Sequence, residues 1–257
     1  MTVRPPAVAG SFYPADPDQL RAQVDDLLDH APGAGSHRAV VAPHAGYVYS
    51  GSTAAVAYHA LRWDDVAQVA ILGPTHRVPV RGIAAPQSTT WRTPLGDVAV
   101  TIPDAVAALP HVVRDERVHA PEHSLEVHVP FVQRLRPHAT VTPLAVGRAD
   151  EHEVAGVLDV LLADPATAVI ISSDLSHYLP YADARRLDDQ TLAQVTGLDG
   201  TITHEQACGA TPVNGLMEHA RRHGLALRTL ASCSSGDTAG DRSRVVGYAT
   251  LVLEDRP

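Results

Sequence analysis

Three apolar runs in the sequence each end in a turn of small residues followed by a histidine, and this repeated order constrains the fold most strongly. The stretches are RAVVAPHAG (38–46), VAQVAILGPTH (66–76) and AVIISSDLSH (168–177). Runs of Val, Ile, Leu and Ala without polar alternation are typical of strands that helices cover on both faces. Helix-like stretches lie between the runs, so the sequence predicts an α/β protein with a partly parallel sheet.

The rest of the chain continues the alternation of strands and helices. We predict β structure over 81–100, a helix over 122–135, a strand over 139–147, a helix over 151–164, and two closing strands near 226–233 and 244–253. No linker, charge block or internal repeat divides the chain. We therefore predict one domain over residues 1–257, with a mixed, partly parallel sheet and helices on both faces.

Charge and composition exclude several classes of protein. The chain has 257 residues, of which 45% are hydrophobic, and this is enough for a substantial core. Its net charge of -9, with Lys and Arg scattered, argues against nucleic acid and anionic membranes as partners. We find no signal peptide, no apolar run of membrane-spanning length and only two cysteines. The sequence therefore predicts a cytoplasmic protein.

Histidines at strand ends predict a binding pocket. Ligands of open α/β sheets sit outside the carboxyl ends of the strands. His44, His76 and His177 each follow an apolar run closely. One such histidine is most simply explained as a residue that satisfies a turn. Three with the same placement favour convergence on a single pocket.

Imidazole chemistry suggests a metal in this pocket. Neutral histidines are the commonest protein metal ligands, and two histidines with one carboxylate are typical of non-haem Fe(II) sites. Asp237, in SSGDTAGD (234–241), is a candidate carboxylate, although a Gly-Asp pair is equally typical of an ordinary turn. Neither an HExxH nor a CxxC motif strengthens the signal from spacing.

Six motifs give a more specific indication, because together they resemble the Memo family: RPPAVAGSFYP (4–14), APHAGYVYSG (42–51), LGPTH (72–76), EHSLEVHVPF (122–131), ISSDLSHY (171–178) and ACG (207–209). The resemblance extends to VVGYA at 245–249, nearly the whole chain. Microbial members are labelled AmmeMemoRadiSam system protein B, which implies AMMECR-type and radical-SAM partners. The resemblance also implies a fold like the class III extradiol dioxygenases and their LigB-type relatives, with a metal pocket.

The resemblance assigns roles to individual positions. His44 and His76 match the two metal-binding histidines of the family, and His177 matches a pocket acid or base. Extradiol enzymes supply a late glutamate as third ligand and animal Memo proteins a cysteine, whereas Asp237 lies nearest in this sequence, four residues after Cys233. Fe(II) is the expected metal. The third ligand stays open between Asp237, Cys233 and His177.

The EHSLEVH stretch (122–128) allows two interpretations. On a helix, His123 and Glu126 share a face, and His128 points elsewhere because it lies about 200° further round. Glu126 could cap helix-start amides while His123 packs. The resemblance places this motif at the cleft, so we predict His123 as a second catalytic residue and His128 as a substrate-binding one.

Two more residues are predicted to contact substrate. Tyr47, close to His44, could line the cleft together with Tyr49, although both could instead pack at its rim. Asp174 could contact substrate or could orient a neighbouring histidine.

Two other chemistries fit the sequence less well. Ser172, Ser173, Asp174 and His177 could suggest a hydrolase, but the G-x-S-x-G elbow is absent and residues so close in sequence rarely form a triad. Cys208 or Cys233 could act as a thiol nucleophile with His177, although Cys208 is better explained as a buried apolar residue.

Two functions of different classes therefore remain. One is a metal-dependent redox or dioxygenase-like enzyme that acts on a small molecule or a modified residue. The other is a non-catalytic module whose cleft holds a metal or a partner peptide.

Overall fold

The fold is built on twelve strands and nine helices within residues 2–33 and 35–256, the part of the chain that the computed structural model describes. The strands are β1 (Val3–Arg4), β2 (Ala39–Ala42), β3 (Gln68–Pro74), β4 (Ile83–Ala85), β5 (Thr90–Thr93), β6 (Gly96–Ala99), β7 (Val112–Arg114), β8 (Thr140–Val146), β9 (Thr167–Ser172), β10 (His177–Leu179), β11 (Leu225–Ser234) and β12 (Val245–Asp255). The helices are α1 (Pro17–Asp29), α2 (Tyr47–Ala60), α3 (Asp104–Ala107), α4 (Glu116–His119), α5 (Val129–Leu135), α6 (Glu151–Ala163), α7 (Tyr181–Gly197), α8 (Ala210–His223) and α9 (Ser235–Thr238).

The main sheet has nine strands and mixed direction. Its order is β10-β12-β2-β9-β3-β8-β4-β7, and β11 also pairs with β12. The four central strands, β2, β9, β3 and β8, are mutually parallel, whereas β12 and β4 run antiparallel to their central neighbours. A separate three-stranded sheet has the order β1-β5-β6. The predicted mixed, partly parallel sheet is confirmed.

Two apolar cores lie on the two faces of this sheet, which explains why the strands lack polar alternation. In β2, Val40 and Ala42 belong to the core beneath α1, α2 and α5. The alternate residues, Ala39 and Val41, belong to the core beneath α6, α7 and α8. Because both faces of each central strand are covered, apolar residues predominate along it and β2 is apolar at every position. The predicted α/β class with helices on both faces is confirmed.

The parallel order brings functional positions to one edge. β9 lies between β2 and β3, so the carboxyl ends of the three strands meet. β2 ends at Ala42 and β3 at Pro74, so His44 and His76 both lie immediately beyond this edge.

The predicted helix over 122–135 begins later than expected. Residues 122–125 form no regular helix, Glu126–His128 is a single 3₁₀ turn, and α5 starts only at Val129, with Pro130 in its first turn. Proline favours a helix start because its fixed φ suits the first turn and its missing N–H is not needed there. The prediction that His123 and Glu126 share a helix face is therefore wrong.

Glu126 instead anchors the N-terminal segment. Its carboxylate accepts hydrogen bonds from Arg4 Nη1 at 2.7 Å, from the amides of Ala7 and Val8, and from the Tyr13 hydroxyl. The side chains of Arg4 and Glu126 are each 1% exposed. The alternative that Glu126 caps helix-start amides is thus corrected, because these amides belong to a different part of the chain.

Among the helices within residues 2–33 and 35–256, none combines the length and the apolar character that crossing a membrane requires.

We expect Arg4→Met to lower the free energy of unfolding by about 3–5 kcal/mol, because it leaves the Glu126 carboxylate buried without its cation. Urea unfolding measures the change. Arg92→Met is the matched control, since Arg92 pairs with Asp97 on the surface, and it should leave the unfolding midpoint nearly unchanged. Equal midpoints for the two variants would contradict the anchoring role.

Candidate metal centre

A cleft of about 1030 Å³ opens at the carboxyl edge of the central strands. His44, His76 and His123 lie together in it, and one ring nitrogen of each is within 4.8 Å of the other two. The ring centroids of His76 and His123 are 4.7 Å apart, and that of His44 lies 5.2 Å from His76 and 5.6 Å from His123. The structure thus brings together two predicted metal ligands and one predicted catalytic residue.

The hydroxyl of Ser172, at the end of β9, determines the tautomer of His44. Ser172 Oγ donates its one hydrogen to the carbonyl of Ser124 at 2.6 Å. The same oxygen lies 2.7 Å from His44 Nδ1 and 2.8 Å from His128 Nε2, so both ring nitrogens must donate to it. His44 consequently carries its proton on Nδ1, and the lone pair of its Nε2 is available for a ligand.

His76 is held by Glu122. Its Nδ1 donates to Glu122 Oε1 at 3.0 Å, and the same carboxylate accepts from the backbone amides of His76, His123 and Ser124. Burial raises the pKa of Glu122, but the hydrogen bonds from His76 and Ser124 outweigh this effect and hold the pKa at about 2. Glu122 is therefore ionised at neutral pH and leaves His76 Nε2 available as a donor to a metal.

His123 has a buried ring nitrogen to which a metal could bind. Within the described part of the chain, its Nδ1 is buried without a hydrogen bond; Glu122 Oε1 is 3.3 Å away, but not in hydrogen-bonding geometry. Burial lowers the pKa of His123 to about 4. Burial, and next the charge of His76, also lower the pKa of His44 well below its usual value. The rings of His44 and His123 are therefore neutral, and His123 has a buried nitrogen without a partner. Such donors fit a divalent transition metal.

The structure places the predicted third ligand apart from the histidines. Among the described residues, Asp237 does not belong to the histidine group. Its Oδ2 accepts from the amide and hydroxyl of Ser234, and its Oδ1 accepts from the Tyr181 hydroxyl. Asp237 thus caps the short helix α9, as its alternative interpretation as a turn residue implied. Cys233 is also elsewhere, since its Sγ lies 3.0 Å from Thr53 Oγ1.

Cys208 is a site residue that the sequence analysis assigned to packing. Its Sγ lies 3.3 Å from His44 Nε2, and it lines the cleft immediately before α8. Burial and the charge of Asp174 raise the pKa of Cys208 to about 12, so the thiol is protonated and can donate to His44. The ACG motif is the sequence signal that points to this residue.

Two further predicted residues line the cleft. His177 donates from Nδ1 to the carbonyl of Leu175 at 2.8 Å, which leaves its Nε2 free as a proton acceptor. Burial lowers the pKa of His177, so its ring is neutral at neutral pH. Asp174 accepts from the amide of His44 at 2.7 Å, and burial raises its pKa to about 7. Asp174 thus positions the backbone of a candidate ligand.

Two residues that were predicted to bind substrate do not line the described cleft. Tyr47 is buried and donates its hydroxyl to the carbonyl of Val127, whereas its neighbour Tyr49 lines the cleft. His128 has 0% exposure and lies between the hydroxyls of Ser172 and Tyr58. Both side chains are buried, and their hydrogen bonds support the residues beneath the cleft.

We expect Ser172→Ala to weaken metal binding by about 10- to 100-fold, because the His44 ring then loses the acceptor that fixes its tautomer. Competition with a chromophoric chelator measures the dissociation constant. Ser176→Ala is the control, since Ser176 is also fully buried and its hydroxyl lacks a partner in the described structure. Unchanged affinity in Ser172→Ala would refute the tautomer argument.

Comparison with known proteins agrees with the motifs. A family model described as Memo-like protein matches residues 4–252. A MEMO1 family protein of Archaeoglobus fulgidus is 39% identical over 268 residues, which cover 98% of this chain and 99% of the relative. MEMO1 family proteins of Methanothermobacter thermautotrophicus and Aquifex aeolicus are 37% and 34% identical, over 97% and 98% of this chain and 99% and 100% of the relatives.

Proposed function

We propose, from the premise that this chain belongs to the Memo family, that its cleft binds one divalent transition metal and serves a dioxygenase-like redox reaction. The observation that carries the proposal is the convergence of His44, His76 and His123, with one nitrogen of each within 4.8 Å of the others. The resemblance to class III extradiol dioxygenases favours Fe(II) and a mononuclear centre.

The donor set determines which metals fit. His44, His76 and His123 would hold the metal, and Cys208 lies beside His44 Nε2. Three imidazoles suit iron, copper and zinc, whereas Cys208, whose protonated thiol would have to lose its proton to bind, would favour softer metals such as Cu(I). When bound, the metal supplies Lewis-acid or one-electron chemistry to a ligand in the cleft.

The chain itself supplies a proton acceptor and an aromatic surface to the cleft. His177 presents a neutral ring on the cleft, where its Nε2 can take a proton from a bound hydroxyl group. Phe12 and Tyr49 add aromatic surface to the same cleft, and this surface can pack on an apolar substrate. The proposed substrate is a small molecule or a modified residue of a protein.

A binding module is the second candidate function. The cleft volume of about 1030 Å³ suits a peptide side chain as well as a small molecule. In that case the metal or the peptide from a partner would fill the cleft without turnover.

AMMECR-type and radical-SAM proteins are the proposed partners under either function, and co-purification with each would test the association. The cytoplasmic location stays a prediction.

We expect His44→Ala, His76→Ala and His123→Ala each to lose stoichiometric metal, because each removes one of three converging donors. Metal content after anaerobic purification and reloading with Fe(II) measures this. Asp237→Ala is the control and should retain metal, since its carboxylate is engaged with Ser234 and Tyr181. Full occupancy in any of the three histidine variants, with native circular dichroism in all, would contradict the ligand set.

We expect His177→Ala to keep its metal and to lower turnover by about 10²–10⁴-fold, because a general base is lost while the donors remain. Oxygen consumption with candidate catechols and related phenols gives the rate. His204→Ala is the control, since this histidine also lines the cleft but its ring contacts Cys208 O and Thr211 Oγ1. A metal-loaded protein without turnover on any substrate would favour the binding module.

A further inference from the structure

A second group of metal-ligating side chains lies at the opposite edge of the sheet. Asp159 of α6 and His219 and His223 of α8 line a separate cleft of about 740 Å³. Ala39, the first residue of β2, lines the same cleft, whereas the other end of β2 leads to His44. The two groups are therefore separated by the length of the central strands.

Helix geometry explains why these three residues meet. His219 and His223 are four residues apart on α8 and share one face. α6 and α8 approach very closely, since a Cβ on Gly215 would lie 2.2 Å from Val154 Cγ1. One turn further along α8, this approach brings His219 within reach of Asp159 on α6.

The three side chains already converge. His219 Nδ1 and His223 Nε2 donate to the same oxygen, Asp159 Oδ1, at 2.7 and 2.9 Å. One ligand atom of each residue lies within 4.8 Å of the other two. His219 is buried at 4% exposure, so its ring is held in place by packing as well as by the hydrogen bond.

Neighbouring charges orient the carboxylate. Arg222 Nη1 lies 3.3 Å from Asp159 Oδ2, and Arg222 Nε donates to Glu218 Oε1 at 2.9 Å. Glu218 thus offsets the charge of the guanidinium. Arg222 lies beside Oδ2, whereas the two imidazoles share Oδ1, so Oδ1 is the carboxylate atom that a cation between the rings would meet.

We propose that Asp159, His219 and His223 form a second divalent-cation site, of the zinc class, that links α6 to α8. Two imidazole nitrogens and one carboxylate oxygen are a common ligand set for zinc, and water from the cleft can supply the fourth position. The metal would bind each ring through the nitrogen that now donates to Asp159 Oδ1, and the proton of each neutral ring would move to its other nitrogen. Because the site exists only in the folded chain, binding would also stabilise the fold.

The experiment separates this site from the candidate metal centre. Wild type, a His44→Ala/His76→Ala double variant, His223→Ala and His152→Ala are stripped with a chelator and dialysed against Zn²⁺. His223 is half exposed, so its removal leaves the core intact, and His152 is an exposed histidine that adjoins the cluster without belonging to it. We expect two zinc ions per chain in wild type and His152→Ala, and one in each of the other two proteins.

The zinc content of the variants distinguishes the second site from the candidate metal centre. Zinc content that is unchanged by His223→Ala overturns the second site, as does a His44→Ala/His76→Ala protein that is folded by circular dichroism and binds no zinc. If the double variant binds as much zinc as wild type while His223→Ala loses one ion, the second site stands and the proposed metal centre fails. In the double-variant background, we expect Zn²⁺ to raise the melting temperature, and adding His223→Ala should abolish that rise.

Discussion

The hydroxyl of Ser172 is the constraint on which the candidate metal centre depends. A hydroxyl has a single hydrogen, and here it is donated to the Ser124 carbonyl, so two imidazoles must both act as donors toward the oxygen. One buried oxygen therefore sets the protonation of His44 and of His128 and ties β9 to the segment before α5. It can do so because β9 lies between β2 and β3, so its last residue is next to the loops that leave both strands.

Two buried carboxylates four residues apart complete this support. Glu122 holds the ring of His76 and the amides beside it, and Glu126 holds the N-terminal segment through Arg4. Both lie in a stretch with little regular helix, where backbone groups would otherwise lack partners. The candidate ligands on loops are thus fixed by charge-assisted hydrogen bonds to residues that are themselves buried.

The sequence predicts much of the fold because continuous apolar runs indicate strands that are buried on both faces. The three runs that end before His44, His76 and Asp174 are β2, β3 and β9, and their parallel order explains why the strand-end histidines meet. Contacts between distant segments were not predictable in this way. Cys208 is 164 residues from His44 in the chain, and Asp237 lies apart from the histidine group because a local cap, which strand positions do not predict, engages its carboxylate. Tyr47 and Tyr49 both belong to α2, and which of them faces the cleft depends on the rotation of this helix about its axis.

The depth of the three imidazoles differs, and this has a kinetic consequence. The side chain of His76 is 28% exposed and that of His123 is 13% exposed, whereas His44 is buried beneath them. An ion that entered from the cleft would meet His76 first and His44 last. Loading and release would then be ordered, and the restraint of Glu122 on His76 would set how readily the outermost donor moves aside.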